Sequence, residues 1–556
     1  MIRGDAANHA LFTRAAELVR AKQIETDADL DPLLQHPPPD VDPELINRLR
    51  YMHEAGAWVL FESALADLPA DLRWLFESSA ITVEQLATLH RALGCTAAVD
   101  LGDATERQSV RKIPGFDERI ETAVAAALPN LRAEIPRIPL GRALSVAEPL
   151  LARLRQMPGI DWALPVGSLR RGQDTVGDIE LAAASDDPSA AIEDLTHLPD
   201  VSRVLYRSPR RVYLLLERVQ VGVRFPPSDN AGSTLLHLTG SAKHLAALGS
   251  HAGGRGWRLT ADGLFTAQGE HRLSPTEEDI YSTLGLPYIT PEIRNGDAEI
   301  DVAGRGELPE LVSRPHVRGD LHMHTTWSDG HDSIEAMVRA CCALGYESMA
   351  ITDHSEHSAA SRNLTTQGVS EQAEEIARLR EQHPEIAILH GCEVEIMPDG
   401  RLDFADTVLE RFDIVLASLH ERSGQSREQL LKRYVDAMKH PLVTIITHPT
   451  NRLVPNRRGY DLDYDRFFEV AVATGTVVEI DGAPVHLDLD GALARRAIAA
   501  GATVSVNSDS HRAEALERQM GLGILTARRG WVEPRHVLNT RPVAEIRALV
   551  ASKRGS

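Results

Sequence analysis

Apolar positions change their period twice along this chain. Over residues 1–130 they recur at helical spacing, as in LFTRAAELVRA and ITVEQLATLHRAL, with the proline-rich QHPPPDVDP as a loop between them. Near residue 140 the pattern shifts. GRALSVAEPLLARLRQM predicts a helix, and GDIELAAAS, RVYLLLE and VQVGVRF predict short strands. Residues 229–300 are mixed and glycine-rich, with a helix signal in SPTEEDIYSTL. From 319 onward the runs SMAIT, IAIL, DIVLAS, LVTIIT, TVVEI and ATVSV alternate with helical patterns. In DSIEAMVRACCALG, for example, Ile334, Met337, Val338 and Cys341 share a face, Asp332 or Ser333 caps the start and Gly345 stops the helix. Such alternation predicts an α/β barrel or an open sheet. The polar stretch 301–318, with its prolines and glycines, predicts a linker.

A chain of 556 residues exceeds one hydrophobic core, so two to four domains are expected. No apolar run reaches the length of about 18 residues that spans a bilayer, and the first residues lack an apolar signal core. Cys95, Cys341, Cys342 and Cys392 show no paired spacing and predict buried thiols in a reducing cytoplasm. The net charge of -21 excludes a surface that is basic all over. Any nucleic-acid contact must then use a local patch, or bound divalent cations that lower the repulsion.

Nine residues of metal-ligand type fall in six short clusters of the C-terminal part: His322, His324, Asp329, His354, Glu393, His420, His448, Asp509 and His511. The clusters are DLHMHTTWSDG, ITDHS, HGCEVEI, ASLHE, IITHPT and VNSDSH, and five of them close or follow an apolar run. His322 and His324 are two apart, so on a strand they project from one face, as do Asp509 and His511. Parallel barrels gather functional groups at the C-terminal ends of their strands, a geometry that would bring all six clusters together. Nine ligands exceed one tetrahedral ion and suit two or three divalent cations, manganese, zinc or iron, at mixed nitrogen and oxygen sites. Isolated histidines such as His9, His53 and His486 read as ordinary core or surface side chains. Arg422 and Arg452 lie close to the clusters and are expected as catalytic residues holding substrate phosphates.

These segments resemble the polymerase and histidinol phosphatase (PHP) family of metal-dependent phosphoesterases over roughly 319–540. DLHMHTTWSDG matches its first motif, and TDH, the glutamate of GCEVEI, SLH, THP and NSDSH match the later ones. The resemblance implies a distorted (β/α)7 barrel with a trinuclear site, and all nine ligand positions are filled.

The preceding part resembles family X DNA polymerases. VGSLRRGQDTVGDIEL looks like their palm signature, followed by LTGSAKHLAAL, GWRLTADGLF and EEDIYSTLGLPYITPEIRNGDAEID. The implied organisation is a helical region with degenerate helix-hairpin-helix motifs (1–135), a nucleotidyltransferase-like palm (136–228), a thumb (229–300), the linker (301–318) and the PHP barrel (319–556). The fold class is therefore multidomain α/β and α+β. Polymerisation needs carboxylates that hold two cations about 3.5–4 Å apart. The family has aspartates where this chain has Asp178 and Glu180, and a third aspartate where it has Gly222. A polymerase site so altered should be inactive, because misplacing a reacting group by about 1 Å can cost on the order of a hundredfold in rate. Gly167, Ser168 and Arg170 keep the character of a phosphate-binding turn. Of the two helix-hairpin-helix candidates, RKIPGFDERIETAV has Asp117 where a second glycine is common, and LFESSAITVEQLATLHRAL has no glycine in its turn.

The expected activity is a cytoplasmic, metal-dependent nuclease or end-processing phosphoesterase acting on DNA ends or single-stranded DNA in repair. A small-molecule phosphatase and a still-active polymerase stay open as alternatives.

Overall fold

The computed structural model describes residues 81–93, 108–134 and 137–555, apart from 217, 218, 261, 359, 361, 422 and 423, together with 34, 41, 46, 101, 104 and 105. The chain divides into two compact units. One holds residues 1–136 with 200–206 and 214–220, and the other holds the rest.

In the first unit a helix at Val83–Leu93 and another at Glu118–Glu134 are described. The second begins where the Asp117 carboxylate accepts the Ile120 N–H at 2.9 Å, and Arg111 pairs with Glu121 at 2.5 Å across the preceding turn. Asp117 therefore caps a helix, satisfying an N–H that would otherwise face solvent unpaired. The other hairpin candidate is described only from residue 81, where it contributes the helix Val83–Leu93; its first six residues lie outside the described residues, as does nearly all of 1–80.

In chain order the palm-like region contributes β1 (Ile138–Pro139), β2 (Ile160–Pro165), β3 (Thr175–Val176), β4 (Ile179–Ser185), β5 (Val201–Ser208), β6 (Arg211–Leu216) and β7 (Val219–Arg224). The predicted helix stands at Leu140–Gln156, and the three predicted strands are β4, β6 and β7. β4 pairs antiparallel with β2 and parallel with β7, which sets Glu180 opposite Gly222. The thumb-like region packs Leu248, Ile280, Tyr281 and Leu284 beneath a ribbon of β8 (Trp257–Thr260), β9 (Gly263–Thr266) and β10 (His271–Arg272). Its last helix starts with a capping box in which Thr276 and Asp279 satisfy each other's backbone N–H.

Seven parallel strands follow in sequence order: β11 (Gly319–Asp320), β12 (Ser348–Ile351), β13 (Ala387–Glu395), β14 (Ile414–Ser418), β15 (Ile445–Ile446), β16 (Val477–Asp481) and β17 (Val504–Asn507). A parallel bridge from Met323 to Ser510 and the His324 N–H donated to the Ser510 carbonyl at 2.9 Å bring the last strand back to the first, nearly closing a barrel. Alternation along the strands makes two apolar layers. Met349, Ile351, Val415 and Ala417 pack on helices such as Ile334–Ala343, whose Ile334, Met337, Val338 and Cys341 are all buried. Ala350, Leu389, Ile414 and Leu416 face the other way, against Leu538, Ile546 and Val550 of the C-terminal segment. Each fully buried aliphatic chain contributes about 1.5–3 kcal/mol, so the two layers hold the strand ends in register. Ser333 caps the first barrel helix by accepting the Ala336 N–H, and Gly345 follows it with a positive φ of 73°.

Two expectations need correction. The stretch 301–318 is not an open linker: Val312 and Val317 are buried, the Val312 N–H bonds the Val532 carbonyl, and Arg314 lies over the Tyr346 ring. Its polarity comes from the solvent side only. Cys342 is half-exposed, whereas Cys341 and Cys392 are buried, and all three are free thiols. No helix among the described residues is long and apolar enough to cross a membrane.

Palm and barrel are joined by charge. Asp174, in the turn before β3, accepts Arg452 at 2.7 Å and also Arg529, both from the barrel, and Arg529 further bonds the Gly172 carbonyl. Burial disfavours the Asp174 carboxylate, but the two guanidiniums outweigh it and hold its pKa below the ordinary value. That contribution to stability is complete above the usual carboxylate pKa of about 4 and is lost as pH falls through the lowered folded value. Asp174→Ala should lower the stability of this unit by about 2–3 kcal/mol in urea unfolding at neutral pH. The difference from the unsubstituted protein should shrink on acidification below about pH 4. A difference that is unchanged in acid would show that the ion pairs contribute nothing.

Candidate metal centre

All nine predicted ligands are at the C-terminal ends of the barrel strands. His322 and His324 follow β11, His354 follows β12, Glu393 lies within β13, His420 and His448 follow β14 and β15, and Asp509 and His511 follow β17. Asp329 is in the turn after His324, where a Cβ at Gly330 would lie 2.5 Å from the backbone of His324 and Thr325, so only glycine fits that approach. Buried Asp353 fixes this turn by accepting the Thr325 N–H at 2.8 Å, the Thr325 hydroxyl at 2.7 Å and the Ser328 hydroxyl at 2.6 Å.

Glu393 is the meeting point. One carboxylate oxygen, Oε2, lies 2.9 Å from His354 Nδ1, 3.4 Å from His322 Nε2 and 3.5 Å from His324 Nε2. The other, Oε1, lies 2.8 Å from His448 Nε2 and 3.6 Å from His420 Nε2. Asp509 Oδ1 approaches His324 Nε2 at 3.1 Å, and Asp329 lies 3.3 Å from His511 Nε2 and 3.6 Å from His354 Nε2. Three sets of potential ligand atoms each fall within 4.8 Å of one another: His324, Asp329, His354 and His511; His322, His324 and Asp509; His354, Glu393 and His420. His448 and Asp509 hold positive φ values of 24° and 49°, a strain of about 1–3 kcal/mol each for residues with a Cβ, of the kind that persists at functional sites.

The residues fit divalent cations. His324 Nδ1 and His448 Nδ1 are buried without a hydrogen-bond partner, which is costly unless something else is bound there. His322 Nε2 and His324 Nε2 stand 3.1 Å apart, so two potential ligand atoms converge. Burial, with His354 and His511 nearby, pushes the His324 pKa down to about 3 and leaves its imidazole neutral. Burial opposes ionisation of Glu393 too, yet His354, His322 and His420 outweigh it and keep it a carboxylate.

Sequence reasoning missed the residues that orient the ligands. Glu479, inside β16, accepts His322 Nδ1–H at 2.7 Å, the His448 N–H at 2.9 Å and Asn507 Nδ2–H at 2.7 Å. Glu395 accepts His420 Nδ1–H at 2.6 Å. Each fixes a tautomer that leaves Nε2 free to coordinate. The signal was available: a glutamate within the apolar run TVVEI has to be paired.

The other predicted site residues are placed differently. Arg452 was expected to face substrate, but its guanidinium bonds Asp174 and the carbonyls of His486 and Leu487, so its donors serve the fold. Arg422 lies outside the described residues. Arg170, expected at a phosphate, pairs with Glu277 at 2.7 Å and bonds the Thr239 hydroxyl at 3.1 Å. Gly167 opens a short helical turn with φ of 66°, and Ser168 follows it. Asp178 is exposed and sits just before β4 rather than in it. Glu180 accepts Tyr213 Oη–H at 2.8 Å and Arg224 at 3.0 and 3.2 Å, with Arg211 at 3.4 Å. At Gly222 a Cβ would stand 2.4 Å from the Tyr213 ring.

Comparisons with known proteins identify the family of the chain. The DNA polymerase beta thumb family matches residues 234–295 and the PHP domain family matches residues 320–481. A DNA polymerase/3'-5' exonuclease PolX of Bacillus subtilis is 36% identical over 504 residues, covering 90% of this chain and 88% of that protein. The chain belongs to the PolX family. It is an enzyme of that family, with a polymerase-beta-like palm and thumb and a PHP barrel. A probable phosphatase of Caldanaerobacter subterraneus is 30% identical over 204 residues, 34% of this chain and 75% of that protein. The solved ternary P/T complex of Leishmania infantum polymerase beta matches 39% of this chain and 94% of that one at 18% identity, with a TM-score of 0.26.

Two predictions follow from the geometry. Glu479→Ala should weaken Mn²⁺ binding about 10- to 100-fold in a chelator competition, since it frees both His322 and the His448 loop. Unchanged affinity would show that Glu479 does not orient the ligands. Binding should also release protons at neutral pH. Burial disfavours protonation of His448 and His511, but Glu393 and Asp329 respectively reverse this, raising their pKa values to about 10 and about 9. A cation needs the same lone pairs, so affinity should rise with pH up to those values. Calorimetry in buffers of different ionisation enthalpy measures the release, and heats independent of buffer would contradict it.

Proposed function

We propose that this PolX-family chain is a cytoplasmic metal-dependent phosphoesterase that acts on DNA, as a 3'-5' exonuclease or in processing 3′ ends and abasic sites, with a palm that no longer polymerises. The observation that carries the reading is the convergence of five imidazoles on Glu393 from four strand ends, with Asp329, Asp509 and His511 grouped against the same histidines. DNA as the substrate is supported by the polymerase-beta-like thumb and by the name of the Bacillus subtilis relative.

His322, His324, Asp329, His354, Glu393, His420, His448, Asp509 and His511 are the proposed holders of two or three divalent cations, with manganese, zinc or iron suited to the nitrogen and oxygen donors. Such cations, when bound, neutralise a phosphoryl group and lower the pKa of the attacking water. The protein supplies orientation. Glu479 and Glu395 set two imidazoles, Asp353 sets the Asp329 turn, and burial shields His322, His324, His354, Glu393, His448 and Asp509 from bulk water.

The loss of polymerase activity rests on Glu180 and Gly222. A carboxylate that already accepts Tyr213, Arg224 and Arg211 is poorly placed to take a cation, and an aspartate at 222 would collide with Tyr213. A second reading, a phosphatase of small phosphomonoesters, is favoured by the probable phosphatases that match 34% of the chain. His324→Ala and Asp509→Ala should each abolish Mn²⁺-dependent digestion of a labelled single-stranded oligonucleotide, and primer extension should be absent throughout. Digestion that survives both substitutions would end the nuclease proposal. Turnover of phosphomonoesters without digestion of DNA would favour the second reading, and primer extension would return the palm to service.

A further inference from the structure

Two side chains outside the nine ligands reach the same mouth. Asp481 ends β16 beside Asn507 of β17, and His486 lies in the loop that follows. A ligand atom from each, with one from Asp509, falls within a common 4.8 Å. Asp481 has no solvent exposure. Its Oδ1 accepts the Ala483 N–H at 2.6 Å, while Oδ2 is buried with no hydrogen-bond partner. His486 Nδ1 lies 2.9 Å from the Arg452 carbonyl. A carbonyl can only accept, so Nδ1 carries the proton and Nε2 keeps its lone pair. The loop is rigidly seated: the Gly482 N–H bonds the Asn507 carbonyl at 2.9 Å, and a Cβ at Gly482 would fall 2.0 Å from the Gln519 carbonyl oxygen.

We infer that Asp481, His486 and Asp509 form an additional divalent-cation subsite, contiguous with the nine-ligand centre and sharing Asp509 with it. The inference rests on the cation-centre reading above and extends it by two protein ligands. Two buried carboxylates and an imidazole with ligand atoms within 4.8 Å of one another suit a borderline cation such as Mn²⁺ or Zn²⁺. The arrangement also accounts for the unpartnered Oδ2, which costs free energy unless a cation or a shared proton occupies the space. Arg452 acquires a role here as well. Its guanidinium is anchored on Asp174 while its carbonyl fixes the His486 tautomer, so the palm-to-barrel ion pair positions a ligand.

The test uses the full chain and Mn²⁺ alone. Protein equilibrated with Mn²⁺ and freed of excess would be assayed for metal content, beside Asp481→Asn, His486→Phe and His324→Ala. Crystals of the unsubstituted chain would be examined for anomalous scattering by manganese. The expected result is an anomalous peak bounded by Asp481, His486 and Asp509, and a loss of one equivalent in each of the first two variants. Peaks confined to the nine ligands, with full metal content in both variants and a loss only in His324→Ala, would overturn the subsite and leave the main centre standing. In that event Asp481 and Asp509 share a proton instead. No Mn²⁺ uptake by the unsubstituted chain would overturn both readings. The anomalous map decides the matter even where a variant does not fold.

Discussion

Glu393 is one carboxylate with five imidazoles from four strand ends within 3.6 Å: His322 and His324 after β11, His354 after β12, His420 after β14 and His448 after β15. Such a group cannot be buried alone. The attraction between one central negative charge and surrounding imidazoles offsets its loss of water, and it sets where the loops must sit. The constraint runs outward from there. His322 needs Glu479, His420 needs Glu395, and the Asp329 turn needs Asp353 with its hydroxyl and backbone donors. Positive φ values at His448 and Asp509 are tolerated because their surroundings fix them.

In the polymerase-like part, charged side chains are engaged in support. Glu180 is surrounded by donors, Arg170 is spent on Glu277, and Asp174 in the same region holds Arg452 and Arg529 of the barrel. These are ion pairs between part-buried groups, where removal of one partner leaves the other uncompensated. Packing also closes the place where a further carboxylate would stand. Gly222 illustrates it, since the Tyr213 ring now fills the space an aspartate would need.

Much of the fold was legible because the period of the apolar positions follows directly from strand and helix geometry. TVVEI and ATVSV became β16 and β17, and DSIEAMVRACCALG became a helix buried on its predicted face. The 301–318 stretch misled because polarity reports only the exposed side chains, and Val312 and Val317 between them are buried. Arg452 misled for a different reason. Proximity in sequence to His448 placed it near the mouth, but which way a guanidinium turns depends on Asp174, 278 positions away.

The sequence by itself determined the strand–helix alternation, the candidate ligand set it presents and the residue types at 178, 180 and 222, because each is a matter of residue type at local spacing. Only the tertiary structure decided the partners: Glu479 for His322, Glu395 for His420, Asp174 for Arg452, and Asp481 with His486 beside Asp509. An isolated histidine such as His486 carries no signal along the chain. It acquires meaning when β16 and β17 pair and the loop between them turns its imidazole toward a buried carboxylate, a convergence of segments that no local pattern encodes.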